Sequence, residues 1–227
     1  RIVDMVFYSS VPVNNELVKE QKKEFRNGIV VPRSQIESYI EEADCVLIGP
    51  GLPRSEGEEK GDDSTELLTT KLLKKYPHKK WVIDGGSLQV VQPQIIPKNA
   101  ILTPHGKEFE LLKLKIKNEK LKMKMQNLKL EDQVSLFAKE FNCVVLLKGS
   151  IDIVCSKDEC VAIPGGNAGM TKGGTGDVLA GLVAALYCKN EAFLSAAAGS
   201  FINKKAGESL FKKVGYYFNA SDLADEI

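Results

Sequence analysis

The run Gly165-Gly-Asn-Ala-Gly-Met-Thr-Lys-Gly-Gly-Thr-Gly-Asp177 is the part of this chain whose residue types and spacing could do chemistry. It leads directly into a helix-forming stretch, Thr175–Cys188. Glycines let a backbone turn with its N–H groups pointing inward, and a helix start adds positive partial charge. Together they make a cradle for a phosphate or a developing oxyanion. An aspartate at the mouth of such a cradle repels a resting phosphate. It fits a base that takes a proton from a hydroxyl attacking phosphorus. The plainer alternative is a first-turn carboxylate favoured by the helix dipole; the glycines, threonine and lysine packed upstream favour chemistry. Two other nucleotide motifs fail. Gly106-Lys107 is followed by Glu108, so there is no P-loop, and Gly49-Pro-Gly51-Leu-Pro-Arg54 lacks the third glycine of a dinucleotide fingerprint.

The elements that must hold this loop alternate. Apolar runs at Val3–Tyr8, Cys45–Ile48, Trp81–Ile83, Ala100–Leu102 and Val144–Leu147 read as strands, the later ones as buried parallel strands. Helices are expected at Ser34–Ile40, started by a Ser34…Glu37 capping box, at Ser64–Tyr76 and at Leu130–Phe141. Ile151–Cys155 and Cys160–Ile163 flank Ser156-Lys-Asp-Glu159 as a hairpin. Helices Thr175–Cys188 and Glu191–Ser209 follow, and a last helix starts near Ser221 after Asn219. This order predicts an α/β fold, a mostly parallel sheet covered by helices on both faces, over one domain, 1–227. Such sheets bind ligands at the carboxyl ends of their strands. Gly49/Gly51, Asp84, His105 and Lys148 all fall there.

Composition bounds the function. With 227 residues, 43% hydrophobic, 27% charged and a net charge of +1, the chain can bury a continuous core. It lacks the bulk positive charge of a nucleic-acid binder. The ten-residue apolar stretch Val178–Tyr187 is about half a membrane span. Five cysteines include no CxxC pair, and Cys45, Cys143 and Cys188 sit among apolar neighbours as free thiols do. With no charged-then-apolar leader, a cytoplasmic protein is expected. Lys113–Lys129 holds seven lysines and one glutamate, and reads as a solvated excursion between helices.

Three segments resemble a known family. Ile101-Leu-Thr-Pro-His105-Gly-Lys-Glu108-Phe, Val144-Val-Leu-Leu-Lys148-Gly149 and Gly165–Leu182 are similar to the ADP/ATP-dependent NAD(P)H-hydrate dehydratases, which are ribokinase-like. The ending Gly215-Tyr-Tyr-Phe…Ser221-Asp-Leu resembles archaeal members, and the likeness spans about residues 2–225. The resemblance implies a ribokinase-like three-layer sandwich that uses ADP or ATP, with Mg²⁺, to dehydrate hydrated NADH or NADPH. Asp177 would then be the catalytic base. Gly173, Gly174, Thr175 and Gly176 would form the anion hole, and Lys148, Gly149, Ser150, Ile151 and Asp152, together with Gly176, would contact the nucleotide. Gly49, Gly51 and His105, with Asp177, would face the substrate, and Glu108 matches a glutamate associated with magnesium in the wider kinase superfamily. The plainer readings are a turn residue after Pro104 for His105, a strand-end lysine for Lys148 and a turn cap for Asp84.

The resemblance also implies a homo-oligomer acting on a small molecule, with no nucleic-acid or membrane partner. Family members usually open with a further strand and helix; this chain is expected to start just after them. Pro53 stands where the Gly-Pro-Gly-Leu loop normally continues with glycine, and Gly86 where an acidic residue usually follows Asp84. The competing functions are a sugar or hydroxymethylpyrimidine kinase on the same scaffold, or a nucleotide-binding protein without catalysis.

Overall fold

Apolar runs that are buried on both faces have to lie side by side, and they do. The computed structural model describes residues 2–20, 28–53 and 64–227. In chain order the elements are β1 (Val6–Tyr8), α1 (Pro12–Glu20), β2 (Gly28–Val30), α2 (Ile36–Glu42), β3 (Cys45–Ile48), α3 (Thr65–Lys75) and β4 (Lys80–Ile83). Next come α4 (Gly85–Val90), β5 (Ile101–Leu102), α5 (Gly106–Leu114), α6 (Glu119–Gln126) and α7 (Leu130–Phe141). β6 (Val144–Leu147), β7 (Asp152–Cys155), β8 (Cys160–Ile163), α8 (Thr175–Tyr187), α9 (Ala192–Val214) and α10 (Ala220–Glu226) complete them.

The main sheet has the order β3-β4-β5-β6-β7-β8; β1 and β2 form a separate parallel pair. β3 to β6 are parallel, and the β7–β8 hairpin adds two antiparallel strands. Alternate side chains go to opposite faces. Trp81, Ile83, Leu102, Val145 and Leu147 pack with Leu72, Phe109 and Phe137 in one core. Val82, Ile101, Val144 and Leu146 pack with Leu179, Val183 and Ala196 in the other. Burial of each such side chain contributes roughly 1.5–3 kcal/mol. The two cores fix the sheet between α3, α5 and α7 on one side and α8 and α9 on the other. The expected α/β arrangement is therefore found.

Register sets the strand ends level: Ile48 pairs with Ile83, Ile83 with Leu102 and Leu102 with Val145. The ladder runs on past them, with Asp84 N–H donating to Ile48 O (3.0 Å) and Lys148 N–H to Pro104 O (2.8 Å). His105 and Lys148 form an isolated parallel bridge. The residues expected to meet at the carboxyl edge are thus brought to one line.

Four expectations need correction. Ser34 does not cap α2; the cap position is Gln35, without a side-chain bond, behind a short 3-10 turn at Arg33–Gln35. Glu37 instead reaches Lys75 and Lys71 on α3, and their ammonium groups, Lys75 first, hold its carboxyl down at a pKa of about 2. The Lys113–Lys129 stretch is a packed part of the fold, because Ile116, Leu121 and Met125 enter the first core. Lys113 pairs with Glu110 (2.7 Å) and Lys115 donates to the carbonyls of Gln89 and Val91, while Lys117, Lys120, Lys124 and Lys129 are exposed. The cysteine reading missed a bond, since the hairpin register places Cys155 opposite Cys160 and the two form a disulfide. Cys45, Cys143 and Cys188 are free, as expected. Finally, β2, α1, α4, α5 and α6 lie outside what the sequence pattern predicts.

Candidate active site

Asp177 is the third residue of α8, behind an N-cap, Gly174, at φ +87°. That left-handed turn is where a glycine is needed. The N–H groups of Gly176 and Asp177 have no partner among the described residues and face outward from the helix start, as the first donors of a helix do. A side chain at Gly173 would meet nothing within 4 Å, so the loop is open on that side. Thr175 departs from the expectation. Its N–H donates to Lys172 O (3.3 Å), and its buried hydroxyl bonds Met170 O (2.6 Å) and Lys172 O (2.7 Å). It shapes the turn from inside. Lys172 anchors the same loop by donating to the carbonyls of Tyr216 and Phe218.

The cation of the site comes from the strand edge. Lys148 Nζ lies 2.9 Å from Asp84 Oδ1 and 3.5 Å from where a Gly176 side chain would begin. Its ammonium therefore stands against the start of α8. Asp84 is buried and also accepts from Thr103 Oγ1 (2.7 Å), so it orients Lys148 and does more than cap a turn. Partial desolvation raises the Asp177 pKa, the charge of Asp84 raises it further, and Lys148 opposes both. A carboxyl so tuned is a better proton acceptor than an ordinary aspartate.

The Gly49-Pro-Gly51 loop closes over the end of β4. Gly49 has φ +118°, and a Cβ there would overlap the Asp84 carbonyl. Gly51, at φ +70°, is exposed with open space around it. The two departures from the family pattern meet here: a Cβ at Gly86 would come within 2.6 Å of Leu52 O and 2.9 Å of Pro53 O. Thr65 Oγ1 holds that same Pro53 carbonyl at 2.9 Å.

His105 and Glu108 have structural tasks. They form a reciprocal capping box at α5, His105 N–H donating to Glu108 Oε2 (2.9 Å) and Glu108 N–H to His105 Nδ1 (3.4 Å). Glu108 is buried, with its other oxygen 3.6 Å from His105 Nε2, so its carboxylate does not fit a direct metal ligand. Among the described residues no group of three or more His, Cys, Asp or Glu could hold a metal. The imidazole of His105 remains half exposed at the strand edge.

Comparison with known proteins follows this geometry. The family model described as NAD(P)H-hydrate dehydratase matches residues 3–227. The chain belongs to the NAD(P)H-hydrate dehydratase family. A bifunctional NAD(P)H-hydrate repair enzyme of Methanocaldococcus jannaschii is 37% identical over 186 residues, covering 81% of this chain and 32% of that protein. An ADP-dependent (S)-NAD(P)H-hydrate dehydratase of Nitrosopumilus maritimus is 42% identical over 144 residues, covering 60% and 47%. The chain thus spans about a third to a half of the length of these relatives. Among solved structures, the dehydratase of Bacillus subtilis co-crystallised with ATP/Mg²⁺ superposes with a TM-score of 0.72 at 20% identity, covering 98% of this chain and 76% of that one. A ribokinase-like superfamily protein of Enterococcus faecalis gives 0.78 at 20% identity, covering 97% and 74%. These two establish a ribokinase-like fold. Within this dehydratase family fold, sequence reading missed Lys204. Its ammonium is buried beside Gly149 and Gly165, and a lysine in a helix next to Lys205 gives no signal of that.

Proposed function

We propose that this chain repairs hydrated NADH or NADPH, using ADP or ATP to phosphorylate the ring 6-hydroxyl and then releasing phosphate. The observation that carries this reading is Asp177 seated beside the unpartnered N–H groups at the start of α8, with Lys148 against the same turn. Hydroxide leaves a ring carbon poorly and phosphate leaves well. The substrate hydroxyl oxygen attacks the terminal phosphorus while Asp177 takes its proton, and the bond from phosphorus to the nucleotide's bridging oxygen breaks. The N–H groups of Gly173, Gly174, Gly176 and Asp177 stabilise the charge that spreads over the transferred group, and Lys148 adds a fixed positive charge. The ring nitrogen's electron pair then expels phosphate from C6, and loss of a proton from C5 restores the double bond.

Mg²⁺ would be carried by the nucleotide's phosphates and would neutralise part of their charge. Lys148 through Asp152 offer the nucleotide rim, and Gly49, Gly51 and His105 border the nicotinamide side. Residues 1–227 act as one ribokinase-like domain, as part of a homo-oligomer. A cytoplasmic location is part of this reading; the free thiols Cys45, Cys143 and Cys188 support it and the Cys155–Cys160 bond counts against it. The test is to incubate the protein with hydrated NADH, ADP and Mg²⁺ and follow the near-ultraviolet absorbance of reduced nicotinamide. Recovery with release of phosphate supports the repair reaction. A stable phosphorylated product points to a kinase, and nucleotide binding without turnover to a binding protein.

A further inference from the structure

Lys204, on α9, and Asp152, the first residue of β7, are both buried, and their charges meet at 3.3 Å. The ammonium of Lys204 also faces three main-chain carbonyls from two separate segments: Gly149 O (3.2 Å), Ser150 O (3.1 Å) and Gly165 O (3.1 Å). Asp152 completes the cluster. Its Oδ1 accepts from Gly149 N–H (2.8 Å) and its Oδ2 from the Ser200 hydroxyl (2.7 Å). A buried charge pair of this kind is costly to assemble, and replacing both partners by neutral groups is often nearly neutral for stability. Its presence calls for a reason beyond holding the fold.

Peptide geometry supplies one. In a trans peptide the C=O and the following N–H point in opposite directions. With the carbonyls of Gly149 and Ser150 aimed inward at Lys204, the N–H groups of Ser150 and Ile151 must point away from it. Both residues are exposed, and among the described residues neither N–H donates a hydrogen bond. Two adjacent outward donors on a rigid turn make a small receptor for anionic or lone-pair oxygens. Gly165 O is held by the same ammonium, so the β6–β7 turn is fixed relative to the start of the glycine-rich loop that leads to Asp177.

We infer that Lys204 is a positioning residue that turns the Ser150 and Ile151 N–H groups outward to receive oxygens of the nucleotide, and ties that receptor to the glycine-rich loop. This rests on the reading that the nucleotide crosses the Lys148–Asp152 rim. Substituting Lys204 alone would strand the Asp152 charge, so the informative variant removes both charges, Asp152→Asn with Lys204→Met. The double variant should fold, weaken ADP binding about tenfold by calorimetry, and raise the KM for nucleotide with kcat changed less than threefold. A folded double variant with ADP affinity within twofold of wild type would overturn the inference. Should the double variant fail to fold, amide exchange on the wild-type protein decides. Saturating ADP should slow exchange at Ser150 and Ile151 at least tenfold, and unprotected amides in the ADP-bound protein would overturn it. A wild-type protein that does not bind ADP at all would instead sink the functional reading on which the inference rests.

Discussion

Lys148 Nζ stands 2.9 Å from Asp84 Oδ1, joining the end of β6 to the end of β4 across the intervening strand β5. Thr103, just beyond β5, donates to the same carboxylate oxygen at 2.7 Å, so three neighbouring strand ends share one polar cluster. The arrangement holds a cation against the first turn of α8.

Lys148→Met should therefore cost activity in a pH-dependent way. Lys148 is the group that lowers the Asp177 pKa, against desolvation and the charge of Asp84. Its removal raises that pKa further, and a base works only when deprotonated. The acidic limb of the kcat/KM profile should move to higher pH, with turnover reduced even on the plateau. Stability should fall by about 1–3 kcal/mol, since Asp84 keeps only Thr103 as a partner. A pH–rate profile checks the shift; an unmoved limb would separate Lys148 from Asp177.

Gly49→Ala and Gly51→Ala should differ sharply although they sit two residues apart. At Gly51 the cost is the left-handed backbone alone, about 1 kcal/mol. At Gly49 the new methyl also overlaps the Asp84 carbonyl, backbone that cannot yield without moving the β4 end. That variant should lose at least about 3 kcal/mol or fail to fold. Denaturant melts of the two proteins make the comparison.

Met125→Ala should destabilise by about 2–5 kcal/mol, the range for truncating a buried methionine. Leu121→Ala belongs to the same class. A loss below about 1 kcal/mol in both would return α6 to the solvated excursion that its lysines suggest from sequence.

The strand ends were legible because buried parallel strands leave continuous apolar runs, and the glycines and polar residues at their ends stand out against them. The place of Asp177 in the first turn of α8 was legible because the glycine-rich run ends where a continuous small and apolar stretch begins. Short elements were not: β2 is three residues long, and Gly28-Ile-Val30 carries no usable period. The Cys155–Cys160 bond depends on hairpin register, which composition and CxxC spacing do not report. Ser34 and Glu37 have capping-box spacing, but Glu37 is drawn to Lys71 and Lys75 on a helix distant in sequence. Capping boxes form instead at His105 and Glu108, residue types that sequence reading assigns to chemistry, and at Asn219 and Asp222. Lys204 is the instructive miss. A lysine is expected in water, and only the convergence of three carbonyls and Asp152 explains its burial.

The most direct test is Asp177→Asn, assayed for turnover, ADP affinity and stability together. Asparagine keeps the shape but cannot accept the proton of the attacking hydroxyl, so turnover should fall by roughly 10² to 10⁴. ADP affinity should stay the same or rise, because the carboxylate repels phosphate in the ground state and acts only in the transition state. The raised pKa means the folded protein disfavours the charged carboxylate. Wild-type stability is therefore lowered as pH rises from the ordinary aspartate range through the folded pKa, and at neutral pH the variant should melt no lower than wild type. A variant that turns over within threefold of wild type would contradict the assignment of Asp177 as the base, and loss of ADP binding would recast it as a nucleotide-holding residue.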